Sequence, residues 1–87
     1  MIYRASAQSV ACAYGDGVAI LSLKSNRYFS LDPVGTVVWT QLEKDADING
    51  LVEAVTQEFD VEPEVCREDI EQLLASMLNA ELIESRA

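Results

Sequence analysis

The chain contains no histidine, and this absence narrows the chemistry open to its 87 residues. Ser-His-Asp and Cys-His catalytic sets, C2H2 zinc sites and histidine-based metal centres all need an imidazole, so they are excluded. Cysteine is scarce too: Cys12 and Cys66 are far apart and form no CxxC pair. Neither a disulfide framework nor a four-ligand metal site is expected, and we predict two small, buried, reduced side chains.

Basic residues are few. Six Lys and Arg against fifteen Asp and Glu give a net charge of −9. Three bases and two acids give residues 1–42 a net charge of +1, whereas three bases and thirteen acids give residues 43–87 a net charge of −10. DNA, RNA and anionic membranes attract proteins through basic patches, so none of them is an expected partner. Most of the acids are expected to keep a small protein soluble.

Long apolar runs are also missing. No run approaches the roughly 20 residues of a membrane-spanning helix, and the N-terminus lacks the pattern of a signal peptide. We therefore expect a cytoplasmic protein. Its length suits one small domain over residues 1–87, without linker or internal repeat.

The first third of the chain predicts three strands, over about residues 8–14, 18–23 and 27–31. The turn sequences Gly15-Asp16-Gly17 and Lys24-Ser25-Asn26 separate them. A glycine-rich phosphate loop is the weaker interpretation of the first turn, because it lies between two strands. Two short turns predict an antiparallel meander.

The third predicted strand is the most informative one. Phe29 and Leu31 share one face, and Tyr28 and Ser30 share the other. If the strands lie in chain order, this strand forms an edge of the sheet with unpaired backbone groups. Such an edge must be covered or used, and its use is to accept an added peptide strand.

The rest of the chain predicts three helices, over about residues 33–43, 48–59 and 63–80. Asp32 before Pro33 and Asp47 are expected caps, and Pro63 is expected to open the third helix. Leu82 and Ile83 are expected to pack back as a final turn. Strands followed by helices predict a two-layer α+β domain. The residues expected in its core are Leu21, Phe29, Leu31, Trp39, Val55, Phe59, Ile70 and Leu74.

The sequence offers little catalytic chemistry. It has no nucleophile–base set, and its helical carboxylates are expected to be solvated, so we predict no enzyme, cofactor or metal. Asp69 differs from the other acids because it borders the apolar face of the third helix, beside Cys66 and Leu73. There it could meet a cationic or N–H group of a partner, or it could be an ordinary boundary residue.

Residues 26–39 (NRYFSLDPVGTVVW) resemble the pattern xxYFxLNxxGxxxW of the PqqD-like family. Residues 47–59 resemble the second helix of that family, residues 68–78 resemble its third, and Leu82-Ile83 resembles its ending. The resemblance spans about residues 8–84. The family often has Asn and Gly where this chain has Asp32 and Glu81.

The resemblance implies a RiPP recognition element, a winged helix-turn-helix-like domain that binds peptides. In the family, the leader region of a ribosomally made precursor lies as an antiparallel strand on the third strand, beside the third helix. Carried over to this chain, the peptide-binding residues are Arg27, Tyr28, Phe29, Ser30, Leu31, Val65, Cys66, Asp69, Ile70, Leu73 and Met77.

The resemblance is strongest to stand-alone leader-binding proteins of lasso-peptide pathways, which deliver the leader to a leader peptidase or another modifying enzyme. The alternative is a PqqD-type chaperone that presents the PqqA precursor to a radical SAM enzyme. A winged-helix DNA-binding protein is the remote alternative, because Arg67 is the one basic residue in the second and third predicted helices.

Overall fold

The computed structural model describes residues 1–15 and 17–87. The described residues form strands β1 (Ile2–Ala5), β2 (Ser9–Tyr14), β3 (Gly17–Ser22), β4 (Tyr28–Leu31) and β5 (Ile83–Arg86), and helices α1 (Pro33–Leu42), α2 (Ile48–Glu58) and α3 (Pro63–Asn79). The predicted α+β class, with a three-stranded antiparallel meander followed by three helices, is confirmed. None of the helices in these residues is long and apolar enough to cross a membrane.

The meander has the order β2-β3-β4, so β4 forms one edge. At the first turn Tyr14 pairs with Gly17, and Gly15 has a φ of 58°, in the left-handed region that glycine enters without strain. Asp16, the middle residue of the predicted turn, lies outside the described residues. Along the other pairing, Val18 faces Leu31 and Leu21 faces Tyr28.

The prediction that Leu21 lies in the core is wrong. Leu21 is 38% exposed, whereas its neighbours Ile20 and Ser22 have no exposed surface. Alternation along a strand separates two faces but does not say which face the helices cover. The buried face includes Ser22 because its hydroxyl donates to the Glu81 carbonyl at 3.3 Å and accepts from the Ser25 N–H at 3.2 Å.

Cys12 corrects a second expectation, since it is exposed on β2 while Cys66 is buried. Both thiols are free, as predicted from their separation. Cys12 pairs with Ala19, and Val10 pairs with Leu21, so these residues share the outer face of the sheet. That face therefore presents exposed apolar side chains, including Tyr28 at 71% exposure.

The helices begin where the sequence predicts them. The Asp32 carboxylate accepts from the Gly35 N–H at 2.7 Å, and the Asp47 carboxylate accepts from the Gly50 N–H at 2.8 Å. Gly35 also lets α1 approach β4 closely, because a Cβ there would lie 3.1 Å from Leu31 Cδ2. Pro63 occupies the first turn of α3.

The core lies between the meander and the three helices. Of the residues expected there, five are buried: Leu31, Trp39, Val55, Ile70 and Leu74. Phe29 and Phe59 are half-buried and pack against this cluster.

The ends of the chain form a second sheet, which the sequence did not predict. β1 pairs antiparallel with β5, Ala5 facing Ile83, and on its other side Tyr3 exchanges two hydrogen bonds with Ala46, at 2.8 and 2.9 Å. Leu82 and Ile83 are buried, but Ile83 begins a strand and does not continue a turn. Four-residue strands from opposite ends of the chain leave no turn signal between them, which explains the error.

Glu81 completes the C-terminal cap of α3 in a strained conformation. Its φ of 61° lies in the left-handed region, and its N–H donates to the Leu78 carbonyl at 3.1 Å. The next N–H, of Leu82, donates to the Met77 carbonyl at 3.0 Å. This is the Schellman pattern, in which glycine is the preferred residue at the position of Glu81.

Replacing Glu81 by glycine is therefore expected to raise the free energy of unfolding by about 0.5–1 kcal/mol, because the relief of strain exceeds the added chain entropy. Glu81→Ala is the matched control: it keeps the strain and loses the exposed Lys24–Glu81 ion pair. Chemical denaturation measures the free energy of unfolding of each variant. A glycine variant less stable than the alanine variant would contradict the prediction.

Candidate functional site

The outer edge of β4 offers unpaired backbone groups. The Ser22 N–H donates to the Arg27 carbonyl at 2.8 Å, which sets the alternation of hydrogen-bonded pairs between β3 and β4. In this register Phe29 and Leu31 bond to β3, so the N–H and C=O groups of Tyr28 and Ser30 point outward. No strand of residues 1–15 and 17–87 pairs with that edge.

Helix α3 runs antiparallel to β4, and a cleft lies at each end of the groove between them. The first, which we call the helix-start cleft, has a volume of about 310 Å³ and lies where α1 and α3 begin. Five predicted site residues line it: Val65, Cys66, Asp69, Ile70 and Leu73. So do five residues that were not predicted: Asp32, Val34, Gly35, Val55 and Val61.

The helix-start cleft has an apolar wall and floor beneath an acidic rim. Val61 and Val65 are 39% and 56% exposed, whereas Cys66 and Ile70 are 4% and 1% exposed. Asp32 and Asp69 supply the carboxylates, and none of the described residues that line the cleft is basic. This arrangement suits a large apolar side chain with a positive charge near it.

Burial raises the pKa of the Cys66 thiol, and the negative charge of Asp69 raises it further. The positive charge of Arg67 lowers this pKa, but the two other effects are larger. Cys66 therefore stays protonated at neutral pH and behaves as an apolar side chain. Arg67 is held by Asn49, whose Oδ1 accepts from Nη2 at 2.5 Å.

The second cleft, here the helix-end cleft, has a volume of about 510 Å³. Arg27, Tyr28 and Phe29 line it from the side of β4. Ser76, Asn79 and Ala80 line it from the end of α3, and Asn26 completes it. The β3–β4 turn is fastened to that end of α3, because the Ser25 hydroxyl donates to the Ala80 carbonyl at 2.8 Å.

Eight of the eleven predicted site residues thus line one cleft or the other, and Ser30 is exposed on the edge between them. Leu31 and Met77 lie in the core, with 7% and 0% exposure. Met77 has no exposed surface and is not among the lining residues of either cleft, so its contact with a peptide stays a prediction.

Val61 is the most exposed of the missed apolar residues in the helix-start cleft. A sequence signal for it exists, because it is a large apolar residue in an acidic linker, outside the periodic pattern of either neighbouring helix. In the described part of the chain, no group of three or more Cys, Asp or Glu residues is placed to hold a metal ion.

Comparisons with known proteins agree with this fold. A model of the family described as coenzyme PQQ synthesis protein D (PqqD) matches residues 17–83. The solved structure of TbiB1 in complex with the TbiA(beta) leader peptide is similar with a TM-score of 0.85 and 31% identity, over 97% of this chain and 98% of TbiB1. Lasso peptide synthetase B1 complexed with the leader peptide shows the same fold at 18% identity, with a TM-score of 0.81 over 95% of this chain and 98% of that one. A search of curated proteins found no match.

Proposed function

Because the chain belongs to the PqqD family, we propose that it binds the leader region of a ribosomally synthesised precursor peptide as an added strand on β4, beside α3. The observation that carries the proposal is the open edge of β4, which runs along α3 with a cleft at each end. The similarity of the whole chain to TbiB1, which was solved with a leader peptide bound, supports the same kind of ligand here.

The groove can supply enough energy for specific binding. The outward N–H and C=O groups of Tyr28 and Ser30 offer backbone hydrogen bonds, each contributing about 0.5–1.5 kcal/mol net. An apolar side chain buried in the helix-start cleft adds about 1.5–3 kcal/mol. After the costs of association, affinities between micromolar and nanomolar are expected.

The pathway we propose is lasso-peptide biosynthesis, because both similar solved structures are leader complexes and one is a lasso peptide synthetase B1. In this role the protein is non-catalytic: it acts in the cytoplasm and delivers the leader to a leader peptidase or another modifying enzyme. A PqqD-type chaperone for a radical SAM enzyme is the alternative, and it is less well supported, because neither similar solved structure is described as such a chaperone.

The test is an NMR titration of the full chain with the leader of the precursor encoded beside its gene, and with the TbiA(beta) leader as a second probe. Amide shifts are expected to cluster at residues 27–31 and 65–77. Shifts clustered on α2 and absent from β4 would show that the binding mode is wrong.

Asp69 is expected to contribute more to leader binding than the neighbouring acid Glu71, because Asp69 lines the helix-start cleft and Glu71 lines neither cleft. A partly desolvated contact to a charged group contributes about 1.5–3 kcal/mol, so Asp69→Asn should weaken binding about tenfold or more. Glu71→Gln should change it little, because exposed pairs contribute about 0–1 kcal/mol.

Calorimetric titration at low and moderate salt measures both variants. Equal, small and fully salt-screened effects at the two positions would mean that the acidic face of α3 contributes only solubility and long-range steering.

A further inference from the structure

The two clefts along β4 differ in charge. Asp32 and Asp69 line the helix-start cleft without a basic residue, whereas Arg27 is the charged residue that lines the helix-end cleft. Within residues 1–15 and 17–87, the Arg27 guanidinium forms no ion pair. Both ends of the groove can therefore take a charged partner.

The carboxylates of the helix-start cleft are available to a ligand. Asp32 uses one oxygen, Oδ1, to cap α1, and its other carboxylate oxygen accepts no hydrogen bond from the part of the chain that the structure describes. The charge of Asp69 reaches the floor of the cleft, where it adds to the effect of burial on the pKa of Cys66. Arg67, the nearest base on α3, bonds to Asn49.

Helix dipoles oppose this negative charge without cancelling it. Both α1 and α3 begin at the cleft, and each helix N-terminus carries roughly half a positive charge. The carboxylate of Glu64, in the first turn of α3, offsets the positive charge at the N-terminus of α3. The carboxylate of Asp32, which caps α1, offsets the positive charge at the N-terminus of α1. With Asp69 added, the rim remains negative.

The opposite charges are separated by a definite length of peptide. From Arg27 to Asp32 the chain spans five residue steps in extended form, or about 16 Å. Along α3, Asp69 and Asn79 are ten residues apart, or about 15 Å. A strand added to β4 needs about five residues to pass from one cleft to the other.

In the antiparallel direction that the family resemblance implies, an added strand begins at the helix-start cleft and ends at the helix-end cleft. We propose that the groove selects the charge order of such a leader: a Lys or Arg at the helix-start cleft precedes an Asp or Glu at the helix-end cleft by four or six residues, an even spacing that keeps both side chains on the face toward the groove. This inference rests on the proposed function and adds the charge order of the ligand.

The experiment is a selection of random 12-residue peptides displayed on phage, with the full 87-residue chain as bait. Enriched peptides are expected to show the basic residue before the acidic one, four or six residues apart, at about tenfold higher frequency than the reverse order. The double variant Arg27→Glu with Asp69→Lys keeps the net charge unchanged and should invert this preference. Its circular dichroism and melting temperature verify that it folds.

Glu71→Lys is the matched control, because it changes the charge of α3 outside both clefts and should keep the original order. Apolar peptides enriched without any charge order would overturn the inference and leave the proposed function standing. Inversion by Glu71→Lys would also overturn it, since net charge and not the groove would then set the order. If no peptide of any kind is enriched, the proposed function fails as well.

Discussion

Replacing Trp39 by alanine is expected to lower the free energy of unfolding by about 3–5 kcal/mol. Trp39 lies on α1 with 6% exposure, inside the cluster that joins the meander to the helices. Truncation removes a large buried apolar surface and leaves a cavity that close-packed neighbours fill only in part. Small domains have free energies of unfolding of about 5–15 kcal/mol, so the substitution removes a large part of the stability of the fold.

Urea denaturation followed by circular dichroism measures this loss. Tyr28→Ala is the matched control, since that aromatic side chain is 71% exposed and should cost little. We expect Trp39→Ala to reduce leader binding by unfolding the chain, so binding should return at temperatures where the variant is folded. An unchanged melting temperature would contradict the position of Trp39 in the core.

Replacing Ser30 by proline is expected to weaken leader binding by more than tenfold while leaving the fold intact. The Ser30 N–H points away from β3, so proline removes no hydrogen bond of the sheet, and edge strands tolerate it in this position. A lost backbone hydrogen bond accounts for up to about tenfold in affinity. The pyrrolidine ring adds to the loss, because it occupies space that an incoming strand needs.

Ser30→Ala separates the backbone from the side chain, because it keeps the N–H and should bind like the native protein. Calorimetric titration with the leader compares the two variants, and their melting temperatures show whether both fold. If proline and alanine variants bind equally well, the leader does not add to β4 through the Ser30 N–H, and strand addition in this register is wrong.

The sequence predicted those parts of the fold that depend on neighbouring residues in the chain, such as the starts of the helices. Asp32 and Asp47 are side chains that cap helices, and the caps form as predicted. The assignments of Leu21 and Cys12 failed for one reason: both lie on strands whose two faces are apolar, and helix packing decides which face is covered.

The candidate site was predicted mainly from the resemblance of residues 26–39 and of the third helix to a known family. Periodicity placed Met77 on the apolar face of α3, and the part of that face near Met77 lies against the core. Val61 was missed because its contribution depends on how the α2–α3 linker folds over the cleft.

The pairing of β1 with β5 has a consequence for the order of folding. The loop closed by Ile2 and Arg86 contains nearly the whole chain, and closing a long loop costs entropy before any contact compensates for it. The β2–β4 meander and the α2–α3 pair form across much shorter separations. The terminal sheet is therefore expected to form last and to open first in native-state hydrogen exchange, while the β4–α3 groove keeps its shape.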